Sequence, residues 1–178
     1  MRYHHAILPI LLAVAATARA DNKTLAEALF AEGRQLMEQG KTQEACAKLD
    51  ASNKADPATG TQLNLASCYE KIGKTASAWA LFTQVASSSK DMRAQFAQQR
   101  AAALAPTLSK LTVSVPNAPP GVTVRVDGAA MSAAAFGVAI PVDPGHHVVD
   151  GSATNKPRFH REIDVAPNAA SATVVVTF

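Results

Sequence analysis

Aromatic residues are scarce in this chain: six Phe, two Tyr and one Trp among 178 residues, or 5%. Charged side chains make up only 17%, and there are two cysteines. Each shortage excludes something. Two cysteines cannot frame a disulfide-held miniprotein, and a chain of this length does not need one. A sequence that is 48% apolar and weakly charged is not a disordered one. No apolar run reaches the ~20 residues needed to cross a bilayer. The length suits one or two small domains and excludes a large multidomain enzyme.

A concentrated basic stripe is also missing, although the formal charge is +3 and the isoelectric point is near 9.0. Part of that excess belongs to residues 1–20, which are organised as an export signal. Arg2 precedes an apolar run from Ala6 to Ala16, and Ala18-Arg19-Ala20 supplies the small residues that a signal peptidase requires, so cleavage is expected before Asp21. Removing that segment takes away Arg2 and Arg19 and no acid, leaving 15 basic against 14 acidic side chains. The expected product is exported, periplasmic or secreted, with no stable membrane insertion after cleavage and no nucleic-acid partner.

Composition divides the remainder. Residues 21–108 are rich in Ala, Leu, Gln, Glu and Lys, which favour helix, whereas Val, Thr, Pro, Gly and Asp dominate from 109 to 178. In the first part Gly40-Lys41-Thr42 recurs as Gly73-Lys74-Thr75, and the same offset of 33 takes Gly33 to Ala66, Leu36 to Tyr69, Ala45 to Ala78 and Leu49 to Phe82. A repeat of this period signals stacked supersecondary units. Helices are predicted over 24–39, 43–55, 60–72, 75–88 and 91–105, with Thr24 and Glu27 as a capping box and Pro106 as the final stop. In the second part about six strands are predicted: Leu111, Val113 and Val115 share one face, as do Val122, Val124 and Val126, then Val138, Ile140 and Val142, followed by strands over 146–154, 159–165 and 173–178. Asp127-Gly128 reads as a hairpin turn.

The helical part resembles tetratricopeptide repeats. With Ala26 as the first position, Leu29, Gly33, Leu36, Ala45, Leu49, Ser52 and Pro57 match the first unit; Leu65, Ala66, Tyr69, Ala78 and Phe82 match the second; Glu32 and Lys90 depart from the pattern. The fifth helix would cap the array, with Phe96 and Leu104 on its buried side. The strand part resembles PEGA-type β-domains through Leu111-x-Val113-x-Val115, Pro120-Gly121-Val122, Val124-Arg125-Val126-Asp127-Gly128, Ile140-Pro141 and Pro144-Gly145-His146-His147-Val148. Together with the export signal, this is similar to envelope proteins abundant in myxobacteria and their relatives. The resemblance implies an α+β chain: a signal peptide over 1–20, two tetratricopeptide-like antiparallel helical hairpins with a capping helix over 21–108, and a PEGA-like antiparallel β-sandwich over 109–178.

Motifs for chemistry are few. Gly-Lys-Thr would need a glycine five residues earlier to wrap a phosphate, where Gln35 and Cys68 stand, so each copy reads as a helix C-cap glycine with an N-cap threonine. Ser87-Ser88-Ser89-Lys90 spells Ser-x-x-Lys without the motifs that accompany it in acyl enzymes, and reads as a polar connector. His146 and His147 are adjacent on a strand and point to opposite faces, so with His160 they give no convergent ligand set. No catalytic residue, metal site or cofactor is expected. An enzyme would require His160 beside a carboxylate in a cleft.

What the resemblance implies is a partner groove along the first helix of each unit: Phe30, Arg34 and Met37, then Leu63, Ser67 and Glu70. The bland alternative for Phe30, Met37 and Leu63 is contact with another helix, and Trp79 reads as packing. In an oxidising compartment Cys46 and Cys68, on neighbouring helices of such a stack, are expected to pair; the alternative is two buried thiols. The leading expectation is a non-catalytic envelope scaffold that binds another envelope protein or peptide, with the β-domain bracing or docking. The alternative is a carbohydrate- or peptidoglycan-binding module acting on a cell-wall polymer through the β-domain. For this the strand part offers only Phe136, Phe159 and Phe178 as sugar platforms.

Overall fold

The computed structural model describes the backbone of residues 10–88 and 90–178, and side chains from residue 21 onward. Of the expected export signal, residues 1–9 lie outside the described residues. Among the described residues the chain is α+β, with five helices followed by two sheets, and it divides into two compact units, one ending at residue 68 and the other spanning 69–178.

The first unit holds α1 (Ile10–Glu38), α2 (Thr42–Ala55) and most of α3 (Thr59–Lys71). Helix α1 starts well before the expected residue 24, because the Ala- and Leu-rich stretch ahead of Gly33 contains no breaker after Pro9. Thr24 is therefore interior to α1 and caps no helix start. Gly40 ends the helix at φ +73°, with Gly40 N–H donating to Met37 O at 3.1 Å and Lys41 N–H to Leu36 O at 2.9 Å. This is a Schellman closure, which glycine adopts without a Cβ penalty. Thr42 is the first residue of α2 rather than its cap; Lys41 holds that position, with no capping side-chain bond.

Contacts between α1 and α2 run antiparallel. Ser52 Oγ donates to Ala26 O at 2.8 Å, Lys48 pairs with Glu32 at 3.0 Å, and Gly33 lies against Leu49. A Cβ on Gly33 would sit 2.9 Å from Leu49 Cγ, so glycine sets the approach of the two helices. Glu32, the departure from the repeat pattern, faces Lys48 at the rim. Ala45 and Leu49 are fully buried. Cys46 and Cys68 form a disulfide with Cα atoms 5.6 Å apart, joining α2 to α3.

The second unit begins with the last turn of α3 and continues through α4 (Thr75–Ser88) and α5 (Met92–Leu104). Gly73 repeats the Schellman closure at φ +78°, with Lys74 N–H donating to Tyr69 O at 2.9 Å. Asp91 caps α5 by accepting from Arg93 N–H and Ala94 N–H. The buried residues of α5, Ala94, Ala97, Ala101 and Leu104, follow helical spacing. Phe96 lies off that stripe and is 46% exposed, contrary to expectation; only its ring meets Phe82, at 6.0 Å and 78°. The α-helix ends at Leu104, one residue short of the expected 105. Pro106 follows closely. It lies in a single 3₁₀ turn, Ala105–Thr107, near a helical start where its missing N–H costs nothing.

Seven strands follow: β1 (Lys110–Ser114), β2 (Thr123–Val126), β3 (Ala129–Met131), β4 (Ala139–Pro141), β5 (Gly145–Ser152), β6 (Phe159–Val165) and β7 (Ser171–Val175). One sheet has the order β4-β1-β7 and the other β3-β2-β5-β6. All pairings are antiparallel except β1 with β7, which are parallel. A parallel pair needs a long connection, and here the rest of the strand region supplies it. Strand β3 was not expected, since Ala129-Ala130-Met131 carries no alternation. Asp127 at φ +51° and Gly128 at φ +78° form a two-residue hairpin turn that forces those residues back along β2.

Both sheets feed one core, in which Leu111, Val113, Val124, Val149 and Val176 are at most 1% exposed. Val138 is 51% exposed and outside it, because it ends a turn in which its N–H donates to Ala135 O. Residues 107–110 are tied into the sheets: Ser109, fully buried, donates from Oγ to Ala166 O at 2.7 Å, and Lys110 N–H donates to Ala170 O at 2.8 Å.

The crosslink is expected to matter for a core built largely of alanine. Reduction, or Cys46→Ser with Cys68→Ser, should lower the unfolding free energy by about 3 kcal/mol, given a loop closed over 22 residues. Denaturant titration with and without reductant measures this, and coincident midpoints would contradict it.

Candidate functional site

Two polar clusters stand out in the second unit. The first grows from turn chemistry. The Asp127-Gly128 turn places the Asp127 carboxylate beside β5, where Oδ1 accepts from Val148 N–H at 2.9 Å and Oδ2 lies 2.7 Å from His147 Nδ1. On the other side of that ring, Nε2 lies 2.6 Å from the Asp143 carbonyl oxygen. Both ring nitrogens face oxygens that accept, an arrangement that favours the doubly protonated ring. His147 is 7% exposed. Burial alone would lower its pKa, but the bonds to Asp127 and Asp143 outweigh it and the net shift is upward. Burial would raise Asp127, but the Val148 N–H bond and His147 bring it below the ordinary 3.8.

The chain of bonds continues to a helix. Asp143 Oδ1 accepts from Ser77 N–H at 2.9 Å and Oδ2 from Ser77 Oγ at 2.6 Å. Ser77 sits in the first turn of α4, where backbone N–H groups lack intrahelical partners. A carboxylate from the loop before β5 thus caps α4, with the helix dipole favouring its charge. Serine, aspartate and histidine meet here without forming a nucleophilic triad. The Ser77 hydroxyl donates to a carboxylate, and His147 bonds the backbone of Asp143 rather than the serine.

The second cluster lies on the outer face of the four-stranded sheet. Register sets Arg125 opposite Asp150 and Asp150 opposite His160; in the next row Thr123 stands opposite Ser152, with Arg158 just before β6. These six side chains line an open recess of about 510 Å³ together with Phe159. His160 Nδ1 lies 2.8 Å from Asp150 Oδ1, Thr123 Oγ1 is 2.8 Å from Ser152 Oγ, and Arg125 Nη1 donates to Gly128 O at 2.7 Å. The bond to Asp150 is the main cause that raises the pKa of His160. A histidine beside a carboxylate in a cleft is the arrangement an enzyme reading required. Its Nε2, however, faces Glu162 Oε1 at 3.7 Å rather than a hydroxyl, and the ring is 60% exposed, so neither an activated nucleophile nor water exclusion accompanies it.

The expected groove residues fall in both units. Phe30, Met37, Leu63 and Ser67 are half-buried and Arg34 is exposed, all in the first unit. Phe30 lines a recess of about 160 Å³ with Lys23, Glu27, Ser52 and Asp56. Met37 Sδ lies 3.6 Å from Cys68 Sγ. Glu70, in the second unit, forms an ion pair with Arg100, whose Nε donates to Oε2 at 3.3 Å. Ser89 of the Ser-x-x-Lys run lies outside the described residues; Ser87 and Ser88 donate to Gln84 O and Val85 O at the end of α4. His146, on the opposite face from His147, pairs with Asp164 at 3.3 Å. Among the described residues no group of three or more His, Cys, Asp or Glu side chains is arranged to hold a metal ion, and no helix is long and apolar enough to cross a membrane. Compared with protein-family models and with curated proteins, the chain gives no match to either.

Sequence reasoning missed both clusters. Asp127 had an ordinary explanation as a turn residue, and Ser77 lies 66 residues from Asp143. The outer-face cluster was legible in part, since residues 123, 125, 150, 152, 158 and 160 share parity along their strands, but only register brings them together.

The His147 cluster should make stability depend on pH. The raised His147 contribution is complete below pH 6.5 and is lost as pH rises through its folded-state value; that of Asp127 is complete above pH 3.8 and is lost as pH falls through its lowered value. Unfolding between pH 4 and 9 should therefore show falling stability on the alkaline side that flattens in His147→Gln. An equal alkaline slope in the variant would contradict the assignment. Asp143→Ala should cost about 1 kcal/mol through the lost α4 cap, read at pH 6 by denaturant titration.

Proposed function

We propose that the protein is an exported, non-catalytic interaction module of the cell envelope. In this reading α1 to α5 are two tetratricopeptide-type hairpins with a capping helix, and the strands form a PEGA-like sandwich that braces the helices or docks onto another envelope component. The observation that carries it is the duplicated turn. Gly40 and Gly73 close their helices with the same pair of bonds, and the positions 33 residues apart, Ala45 with Ala78 and Leu49 with Phe82, are all fully buried. Repetition in both turn and packing supports a repeat architecture, whose usual work is to present a groove.

Phe30, Arg34, Met37, Leu63, Ser67 and Glu70 are the proposed contacts with an envelope protein or peptide. Half-buried Phe30 beside exposed Arg34 combines the aromatic and cationic anchors common at binding hot spots. The disulfide suits an oxidising compartment, periplasmic or extracellular. Sugar binding by ring stacking finds less support, because Phe136, Phe159 and Phe178 are each half-buried against the sheet core.

Affinity capture from envelope extracts should recover one dominant protein partner. Phe30→Ala with Arg34→Ala should reduce its recovery at least about tenfold, the loss expected when a hot spot is truncated. Undiminished capture by that variant would reject the groove.

A further inference from the structure

The outer face of β2, β5 and β6 carries charge in a pattern that packing does not need. Along one row, Arg125, Asp150 and His160 place a cation, an anion and an imidazole across three strands; along the next, Thr123, Ser152 and Arg158 place a hydrogen-bonded hydroxyl pair beside a cation. Asp150 is engaged by His160, and Glu162 stands near the far nitrogen of the same ring. Asp150, the carboxylate lining the recess, stands in the Arg125 row and not in the Arg158 row. Neither Arg125 nor Arg158 takes part in the ion pairs found among the described residues, and Arg125 is tied to the Gly128 carbonyl. An exposed arginine and a hydroxyl pair at one end, with a carboxylate fixed at the other, offer donors to an anion and an acceptor to neutral hydroxyls.

We infer that this recess binds a carboxylate-bearing glycan, held by charge and hydroxyl pairing rather than by ring stacking. Arg158 receives a sugar carboxylate, Thr123 and Ser152 bond at its side, and Asp150, oriented by His160, accepts from a ring hydroxyl. The recess, about 510 Å³, lies in the range of small-ligand sites and is open to solvent. An acidic peptide fits the arrangement less well. An extended peptide adds to a sheet at its edge through backbone bonds, whereas these groups stand on the face, and acidic side chains bring no donor for Asp150. The site shares no residue with the proposed helical groove, so either can fail without the other.

The test is calorimetric titration of the exported protein at pH 6 and low salt with polygalacturonate, hyaluronate and solubilised peptidoglycan fragments. Fully methyl-esterified polygalacturonate and poly-L-glutamate serve as comparisons. At least one of the three acidic glycans should bind, esterification should remove binding where polygalacturonate is the ligand, and poly-L-glutamate should bind at least tenfold more weakly. Arg158→Ala, at an exposed position that leaves thermal unfolding unchanged, should weaken glycan binding tenfold or more, and Phe30→Ala with Arg34→Ala should leave it unaltered. Failure of all three glycans to bind, undiminished binding by Arg158→Ala, loss of binding in the Phe30/Arg34 variant, or equal affinity for poly-L-glutamate would each overturn the inference.

Discussion

One nearly buried imidazole links three pieces of the second unit. His147 bonds the Asp127 carboxylate through one nitrogen and the Asp143 backbone through the other, and the Asp143 side chain in turn caps α4 at Ser77. Three separate pieces of chain, the β2–β3 turn, the loop before β5 and the first turn of a helix, are thereby held by one series of charge-assisted bonds. Such an arrangement is weak as a source of stability, since burying charge is costly. It is strong as a constraint on geometry, because removing Asp127 would leave the buried His147 ring without one of its two partners. The β-region and α4 are thus coupled through polar bonds with defined directions.

Elsewhere the fold depends on smallness. Gly33 admits Leu49 to a distance no side chain would allow, and Ala45, Ala66, Ala78 and Ala97 are fully buried. Alanine packing brings helices close but removes little apolar surface per residue from water. The scarcity of aromatics is therefore consistent with the helices, and it explains why a covalent link from α2 to α3 has weight here. The few large side chains, Leu49, Leu65 and Phe82 among them, occupy the gaps that the small ones leave.

How legible the structure was depended on whether a signal was local. The two Gly-Lys-Thr turns were read from sequence because a helix-ending glycine needs only its own φ and two nearby bonds. The alternating strands were equally plain, since period two is written along each of them. Where a neighbour decided, reading was less complete. Thr42 was placed at the cap and is instead the first residue of α2, and Phe96 was placed inward and is half exposed. Strand β3 has no pattern of its own and exists because the Asp127-Gly128 turn directs it along β2.

By itself the sequence determined the division into helices and strands, the repeat of 33 residues, the closing glycines and the valine faces of the sheets. These follow from backbone preference and hydrophobic period, which act within a few residues. Tertiary structure decided the parallel pairing of β1 with β7, the bond between Ser77 and Asp143 across 66 residues, and the rows formed by Arg125, Asp150 and His160 and by Thr123, Ser152 and Arg158. Those depend on register and on which surfaces meet, and no short stretch of chain encodes either. The absence of a chemical motif in the sequence therefore said little about the outer sheet face, whose polar groups become neighbours only when three strands align.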